Sequence, residues 1–145
     1  MKTITVPAEA GRLNEVSGFI EEELERLNCP LKARMGIALA VEEIFVNIAS
    51  YAYAPAGGPV EIGLEVAGQA EGGQGKAGQP RQALIRFQDS GRPFNPLARE
   101  DADVTLAAEE REPGGLGILL VKKNMDEVNY THEAGKNTLT LIKRL

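Results

Sequence analysis

The stretch FQDSGRPFNP, Phe87 to Pro96, reads as the end of a β-strand that runs into an abrupt turn rich in glycine and proline. Ile85, Phe87 and Asp89 alternate with Arg86 and Gln88, and such alternation places the first three on one face of a strand. That face is predicted to be buried. A carboxylate is therefore predicted at the edge of an apolar layer, where it needs a structural or functional reason.

The segments around this stretch predict an α+β fold. Helical spacing of apolar residues predicts one amphipathic helix over residues 9–28 and a much more apolar one over residues 31–53. A third helix follows the glycines of GGLGILLVKKNM, and strands are predicted at residues 3–6, 59–66, 82–89, 127–131 and 137–143. This order predicts a two-layer sandwich in which helices cover one face of a mixed, mostly antiparallel sheet.

Length and composition limit the class of protein. A chain of 145 residues with 43% hydrophobic content predicts a single domain over residues 1–145, and a net charge of −5 disfavours direct binding to nucleic acid or anionic membranes. No apolar run approaches the roughly 18 residues of a membrane span. One cysteine, Cys29, excludes an internal disulfide, and with one histidine, His132, a zinc site is implausible. We expect a cytoplasmic protein.

Several side chains are predicted from local pattern alone. The acidic run at Glu21, Glu22, Glu23 and Glu25 is interpreted as the solvated face of the first helix. Met35 and Met125 fit helical core faces, and His132 is expected on the surface. Residues 68–81, with five glycines and little to bury, predict a flexible hairpin insert.

Glu43 and Asn47 form a polar pair on the second, apolar helix. Because they lie four residues apart, their side chains stand one above the other on the same side. Two interpretations stay open on these residues alone. The pair serves an internal network or a ligand site, or it occupies a narrow exposed stripe of a mostly buried helix.

The tetrad Gly114 to Gly117, GGLG, precedes the third helix. Unpaired backbone N–H groups and the helix dipole favour a phosphate there, and missing side chains let it approach. The tetrad alone also fits a plain turn, since it is neither a Walker loop nor a GxGxxG motif after a strand.

The three features together supply what a nucleotide needs. Asp89 can accept a hydrogen bond from an exocyclic amine while Gly91 leaves room for the base. Asn47 can offer its amide oxygen to Mg²⁺, and the glycines can wrap phosphates. The combination predicts a site that reads adenine.

Three segments resemble the N-box, the G1 box and the G2 box with its terminal hairpin in the GHKL ATPase superfamily, which includes gyrase B and histidine kinases. They are EEIFVNIASYAY, FQDSGRPFNP and GGLGILLVKKNMDEVNYTHEAGKNTLTLIKRL. The resemblance spans nearly the whole chain and is strongest to bacterial anti-sigma-factor serine/threonine kinases. It implies a Bergerat-type α/β sandwich that binds ATP with Mg²⁺ and phosphorylates a small anti-sigma-factor antagonist. It also suggests a homodimer, and it allows sequestration of a sigma factor.

The resemblance implies a role for individual residues. Glu43 corresponds to the N-box acid that acts as general base, and Asn47 to the Mg²⁺ ligand. Asp89 corresponds to the adenine-reading acid, with Gly91 as its companion. Tyr51 stands where many relatives carry histidine.

The phosphate side of the site follows from the same resemblance. Gly114, Gly115 and Gly117 belong to the phosphate loop, and residues 97–113 become the ATP lid. Arg111 can reach the γ-phosphate from that lid, or it is simply solvated.

The sequence leaves two main functions open. The first is an ATP-dependent serine/threonine kinase that acts as an anti-sigma factor. The alternative is a non-catalytic, ATP-gated anti-sigma or signalling module. Glu43 favours the enzyme because a binding module has less need of that acid. A histidine-kinase catalytic domain is a weaker third hypothesis, because the sequence shows no helical hairpin with a phosphoacceptor histidine.

Overall fold

A five-stranded antiparallel sheet forms one layer of the molecule. The computed structural model describes residues 1–53, 57–68, 81–98 and 115–145. Within them the strands are β1 (Lys2–Pro7), β2 (Pro59–Ala67), β3 (Gln82–Asp89), β4 (Glu127–Glu133) and β5 (Lys136–Arg144). Their spatial order is β1-β2-β3-β5-β4, and each neighbouring pair is antiparallel.

In the part of the chain that the structure describes, three helices form the second layer: α1 (Leu13–Arg26), α2 (Leu31–Tyr51) and α3 (Gly115–Asn124). Single 3₁₀ turns lie at Ala10–Arg12 and Pro96–Ala98. The predicted α+β sandwich is confirmed, and the pairings among the described strands make its sheet antiparallel. No helix within the described ranges is long and apolar enough to cross a membrane.

The core lies between the sheet and the helices. Burial along β3 alternates strictly, with Ala83, Ile85, Phe87 and Asp89 buried and the residues between them half-buried. The prediction that Asp89 shares the buried face is therefore confirmed, with 5% of the residue exposed. The register places this acid opposite Asn137 of β5.

The α2 helix is the central helix of the upper layer and contacts both α1 and α3. Its fully buried residues include Ile37, Ile44 and Phe45. Met125 is buried as predicted, but the core position predicted for Met35 is wrong, since this residue is 65% exposed. Met35 does lie on a helix, but apolar spacing does not say which turns of a helix have a neighbour to pack against.

Glu23 contradicts the interpretation of the acidic run as a uniformly solvated face. It is only 2% exposed, whereas Glu21, Glu22 and Glu25 are exposed. Arg26 donates to both carboxylate oxygens at 3.0 and 3.1 Å, and the Lys2 ammonium lies 2.9 Å away. The hydrogen bond from Arg26, followed by the one from Lys2, lowers the pKa of Glu23 from 4.5 to about 2. A contact from β1 to α1 thus replaces water around this carboxylate.

We predict that this ion pair makes stability sensitive to acid. The pKa of Glu23 is lower in the folded state than in the unfolded state. Its contribution to the free energy of unfolding is therefore fully present above about pH 4.5 and is lost as the pH falls towards 2. With both cations largely in solvent, the loss should be about 1 kcal/mol. Urea unfolding between these pH values should show a smaller acid loss in Glu23→Gln than in wild type. Glu22→Gln on the same helix is the matched control, and an unchanged acid loss in Glu23→Gln would contradict the assignment.

Candidate functional site

Glu43 and Asn47 lie one turn apart on α2, on the side of the helix that carries the candidate site. Asn47 is buried, at 3% exposure, and Glu43 is half-buried. The exposed-stripe interpretation therefore fails for Asn47. A polar amide on an apolar helix is placed where it needs partners of its own.

The Asn47 side chain has one satisfied end and one open end. Its Nδ2 donates to the Glu43 carbonyl oxygen at 2.7 Å, which fixes the direction of the amide. The Oδ1 atom is buried, and nothing among the described residues donates a hydrogen bond to it. An amide oxygen held in this way is a hard oxygen ligand of the kind that Mg²⁺ takes. The donor chemistry of Asn47 therefore fits a divalent cation.

The Glu43 carboxylate contacts the first turn of α3. A methyl group added at Gly117 would overlap Oε2 of Glu43, so the glycine is what lets the acid lie against that helix. Burial raises the pKa of Glu43, and the neighbouring Glu42 raises it further. This acid is thus better prepared than a fully solvated one to accept a proton near neutral pH.

The turn after β3 packs against the carboxyl end of α2. Gly91 leaves no room for a side chain, because an added methyl group would overlap the Ala52 carbonyl. Arg92 donates its backbone N–H to the Ala52 oxygen at 3.0 Å and its Nε to the Tyr51 oxygen at 2.9 Å. These bonds satisfy carbonyls that a helix end leaves unpaired. The Tyr51 and Phe94 rings add a contact, with centroids 5.2 Å apart.

Asp89 is held at the start of this turn by two donors. The backbone N–H of Gly91 and the Nδ2 of Asn137 each donate to Oδ1, both at 2.9 Å. Asp89, the carboxylate that the alternation of β3 predicts on the buried face, is therefore buried and hydrogen-bonded. Both bonds from the described residues fall on the same oxygen.

Asn137 is the site residue that the sequence reasoning missed. It is 4% exposed on β5, directly opposite Asp89. The signal was present, because Asn137, Leu139 and Leu141 alternate in the same way as the residues of β3 that singled out the acid. That alternation puts a second polar group on the buried face.

The candidate residues meet the second half of α2, from its middle to its carboxyl end. Gly117 contacts Glu43, Gly91 contacts Ala52, and Asn47 lies between them on the helix. At 1.5 Å per residue, Glu43 and Ala52 are about 13 Å apart along the axis. Gly115 is the first residue of α3, so it lies within the same helical turn as Gly117.

Other predicted features lie outside the described residues or away from the site. Gly114, Arg111 and most of the predicted lid at 97–113 fall outside them, as do residues 69–80 of the predicted insert. His132 lies exposed on β4, as predicted. Among the described residues no group of three potential metal-ligating acids, histidines or cysteines occurs.

Comparison with known proteins identifies the family of the chain. Residues 6–143 match the model of the histidine kinase-like ATPase domain. The chain belongs to this family. Membership confirms the GHKL resemblance and implies that the chain binds ATP.

One curated relative supports the predicted branch of the superfamily, and one solved structure supports the fold. The chain is 26% identical over 139 residues to the serine/threonine-protein kinase BtrW of Bordetella bronchiseptica, over 96% of this chain and 90% of that protein. It also resembles the solved RsbU and RsbW domains of Rv1364c from Mycobacterium tuberculosis, with a TM-score of 0.60 and 17% identity. That match covers 100% of this chain and 33% of the solved one, and it shows the fold alone.

We predict that the two glycines respond differently to a methyl group. Gly91→Ala should lower the free energy of unfolding by about 1–3 kcal/mol, because the Ala52 backbone cannot yield. Gly117→Ala should cost less than about 1 kcal/mol, because the Glu43 carboxylate can swing away. Urea unfolding checks both, with Gly18→Ala as control, since an added methyl group there meets no atom within 4 Å. Equal losses at Gly91 and Gly117 would contradict the packing.

Proposed function

We propose that the chain is an ATP-dependent serine/threonine protein kinase that acts as an anti-sigma factor and phosphorylates a small anti-sigma-factor antagonist. One observation carries the proposal. Glu43 lies against Gly117 and one turn from the buried Asn47 oxygen, to which no described residue donates. This arrangement supports a proposed base and a proposed cation ligand beside the start of a helix. A site for binding alone has less need of the acid.

The nucleotide is proposed to lie along α2. The base would meet Asp89 beside Gly91, where the carboxylate can accept from the adenine amine. The phosphates would lie at the start of α3, where the unpaired N–H groups of a helix N-terminus favour an anion. Gly117, and the predicted partners Gly114 and Gly115, let the phosphates approach the backbone.

Asn47 would hold Mg²⁺ through Oδ1, the atom that has no donor among the described residues. When bound, the ion would neutralise charge on the phosphate oxygens. Arg111 of the predicted lid is proposed to add a positive charge near the γ-phosphate.

The acceptor hydroxyl would react at the Glu43 end of the site. Its oxygen forms a bond to the γ-phosphorus, the bond from that phosphorus to the β–γ bridging oxygen breaks, and ADP leaves. Glu43 orients the hydroxyl and takes its proton. Its raised pKa suits this task. Positioning and charge stabilisation supply the rest of the rate.

The proposal extends to partners. The serine/threonine kinase relative supports a protein acceptor, here a small anti-sigma-factor antagonist. A sigma factor that the same protein sequesters, a homodimer, a role in transcription regulation and a cytoplasmic location complete the proposed function.

Transfer of label decides between the enzyme and a binding module. The protein is incubated with γ-labelled ATP, Mg²⁺ and candidate anti-sigma-factor antagonists. Label on a serine or threonine of an antagonist supports the kinase. Tight ATP binding without transfer to any of them would favour the non-catalytic, ATP-gated module instead.

We predict that Glu43→Gln separates binding from transfer. Because general-base help is worth roughly 10²–10⁴ in rate, phosphoryl transfer should fall by about that factor while ATP affinity changes little. Transfer is followed with label and affinity by calorimetry. Glu22→Gln on the exposed face of α1 is the control. Transfer at the wild-type rate in Glu43→Gln would remove this acid from the mechanism.

We also predict a shift in the pH profile of Glu42→Gln. Since burial and Glu42 both raise the pKa of Glu43, the transfer rate should decline on the acid side at a higher pH than an ordinary carboxylate gives. Removing the Glu42 charge should lower the Glu43 pKa and move this decline to lower pH. Single-turnover rates across the acid range measure it. A decline that stays in place or moves upward would count against the assignment.

A further inference from the structure

Asn137 joins the acid of the site to the turn that follows it. Its Nδ2 donates to Asp89 Oδ1 at 2.9 Å and to the Arg92 carbonyl oxygen at 2.8 Å. The Gly91 carbonyl oxygen lies farther from Nδ2, at 3.4 Å, so the two hydrogens of the amide nitrogen go to the two nearer acceptors. The proposed function described so far gives this buried side chain no role.

Tyr130 fixes which way the Asn137 amide points. The Tyr130 hydroxyl donates to Asn137 Oδ1, and the Phe94 N–H donates to the same atom at 3.3 Å. A flipped amide would turn its oxygen towards the oxygens of Asp89 and Arg92 and its nitrogen towards two donors. Such an arrangement loses the bonds to Asp89, Arg92 and the Phe94 N–H and keeps at most one, to the Tyr130 hydroxyl acting as acceptor, so the observed orientation is preferred.

The consequence reaches the second oxygen of the acid. The two hydrogen bonds that the described residues donate to Asp89 both fall on Oδ1, which sets the plane of the carboxylate. Oδ2 is then held in one direction as an acceptor. An amine at position 6 of a purine can donate to it, whereas a carbonyl at that position cannot.

We propose that Asn137, oriented by Tyr130, is a positioning residue that sets the selectivity of the site for 6-amino over 6-oxo purine nucleotides. The inference rests on the proposed function, because it takes Asp89 as the group that meets the base. Neither side chain touches the nucleotide in this account. Both act by holding Asp89.

A purely structural role makes a different prediction. If Asn137 only anchored the turn at Arg92 and Phe94, its loss would weaken binding of every purine nucleotide alike. If it positions Asp89, its loss weakens ATP but leaves inosine triphosphate, which has a carbonyl in place of the amine, nearly unchanged. The ratio of the two affinities therefore separates the roles.

The test measures the Kd of ATP and of inosine triphosphate by calorimetry, with Mg²⁺, for the full chain and its variants. Asn137→Asp keeps the shape but replaces the donor with an oxygen beside Asp89, and it should weaken ATP at least about tenfold. Tyr130→Phe should weaken ATP about threefold or more. The Kd of inosine triphosphate should change less than about twofold in both variants, so the ratio of the two affinities that favours ATP should fall.

Two variants serve as controls. Asn129→Asp makes the same change at an exposed position of β4 and should leave both affinities unchanged. Tyr53→Phe removes a hydroxyl that accepts the Ser90 N–H at 2.7 Å, so it loosens the same turn without touching Asn137. It should change the Kd of ATP and the Kd of inosine triphosphate by the same factor.

The outcomes are distinct. Suppose that the wild type prefers ATP. If the variants weaken the binding of ATP and inosine triphosphate equally, or leave the ratio of the two Kd values unchanged, the positioning role is overturned and the proposed function still stands. If Asn137→Asp fails to fold by thermal melting, Tyr130→Phe decides the same ratio. A wild type that binds no ATP would overturn both proposals.

Discussion

The turn after β3 is tied to the carboxyl end of α2, and the candidate site depends on that attachment. Arg92 pairs with the Tyr51 and Ala52 carbonyls, and Gly91 is in direct contact with that helix end. A helix end that is buried without partners is costly. Here the partners come from the turn that begins at Asp89. The same turn therefore both caps the end of the central helix and fixes the position of the acid.

The opposite end of the site depends on a second close approach. Gly117 lets α3 begin against the Glu43 carboxylate, and the same contact partly desolvates the acid. The two glycines therefore contact one helix at two places, Gly117 near its middle and Gly91 at its carboxyl end. Because α2 is rigid and packed on the sheet, the separation between them is fixed by the core rather than by loops.

The sequence predicts these features to different depths. Period-two alternation is enough to put Asp89 on the buried face, and helical spacing is enough to pair Glu43 with Asn47, because both are properties of a single element. Glu23 and Asn137 required tertiary information. The first is paired with Lys2 of β1 in addition to Arg26 of its own helix, and the second gains its role from the register of β5 against β3. Neither Lys2 nor β3 is near its partner in sequence.

The orphaned oxygen of Asn47 is the clearest sign of a functional constraint in the described residues. A buried acceptor without a donor costs about 1–3 kcal/mol of stability. An apolar residue at this place on α2 would avoid that cost and pack against the same core. Fold stability alone therefore gives no reason for the amide. The proposed cation supplies one, because it would bind the oxygen to which no described residue donates, and the Glu43 carbonyl already holds the amide in the required direction.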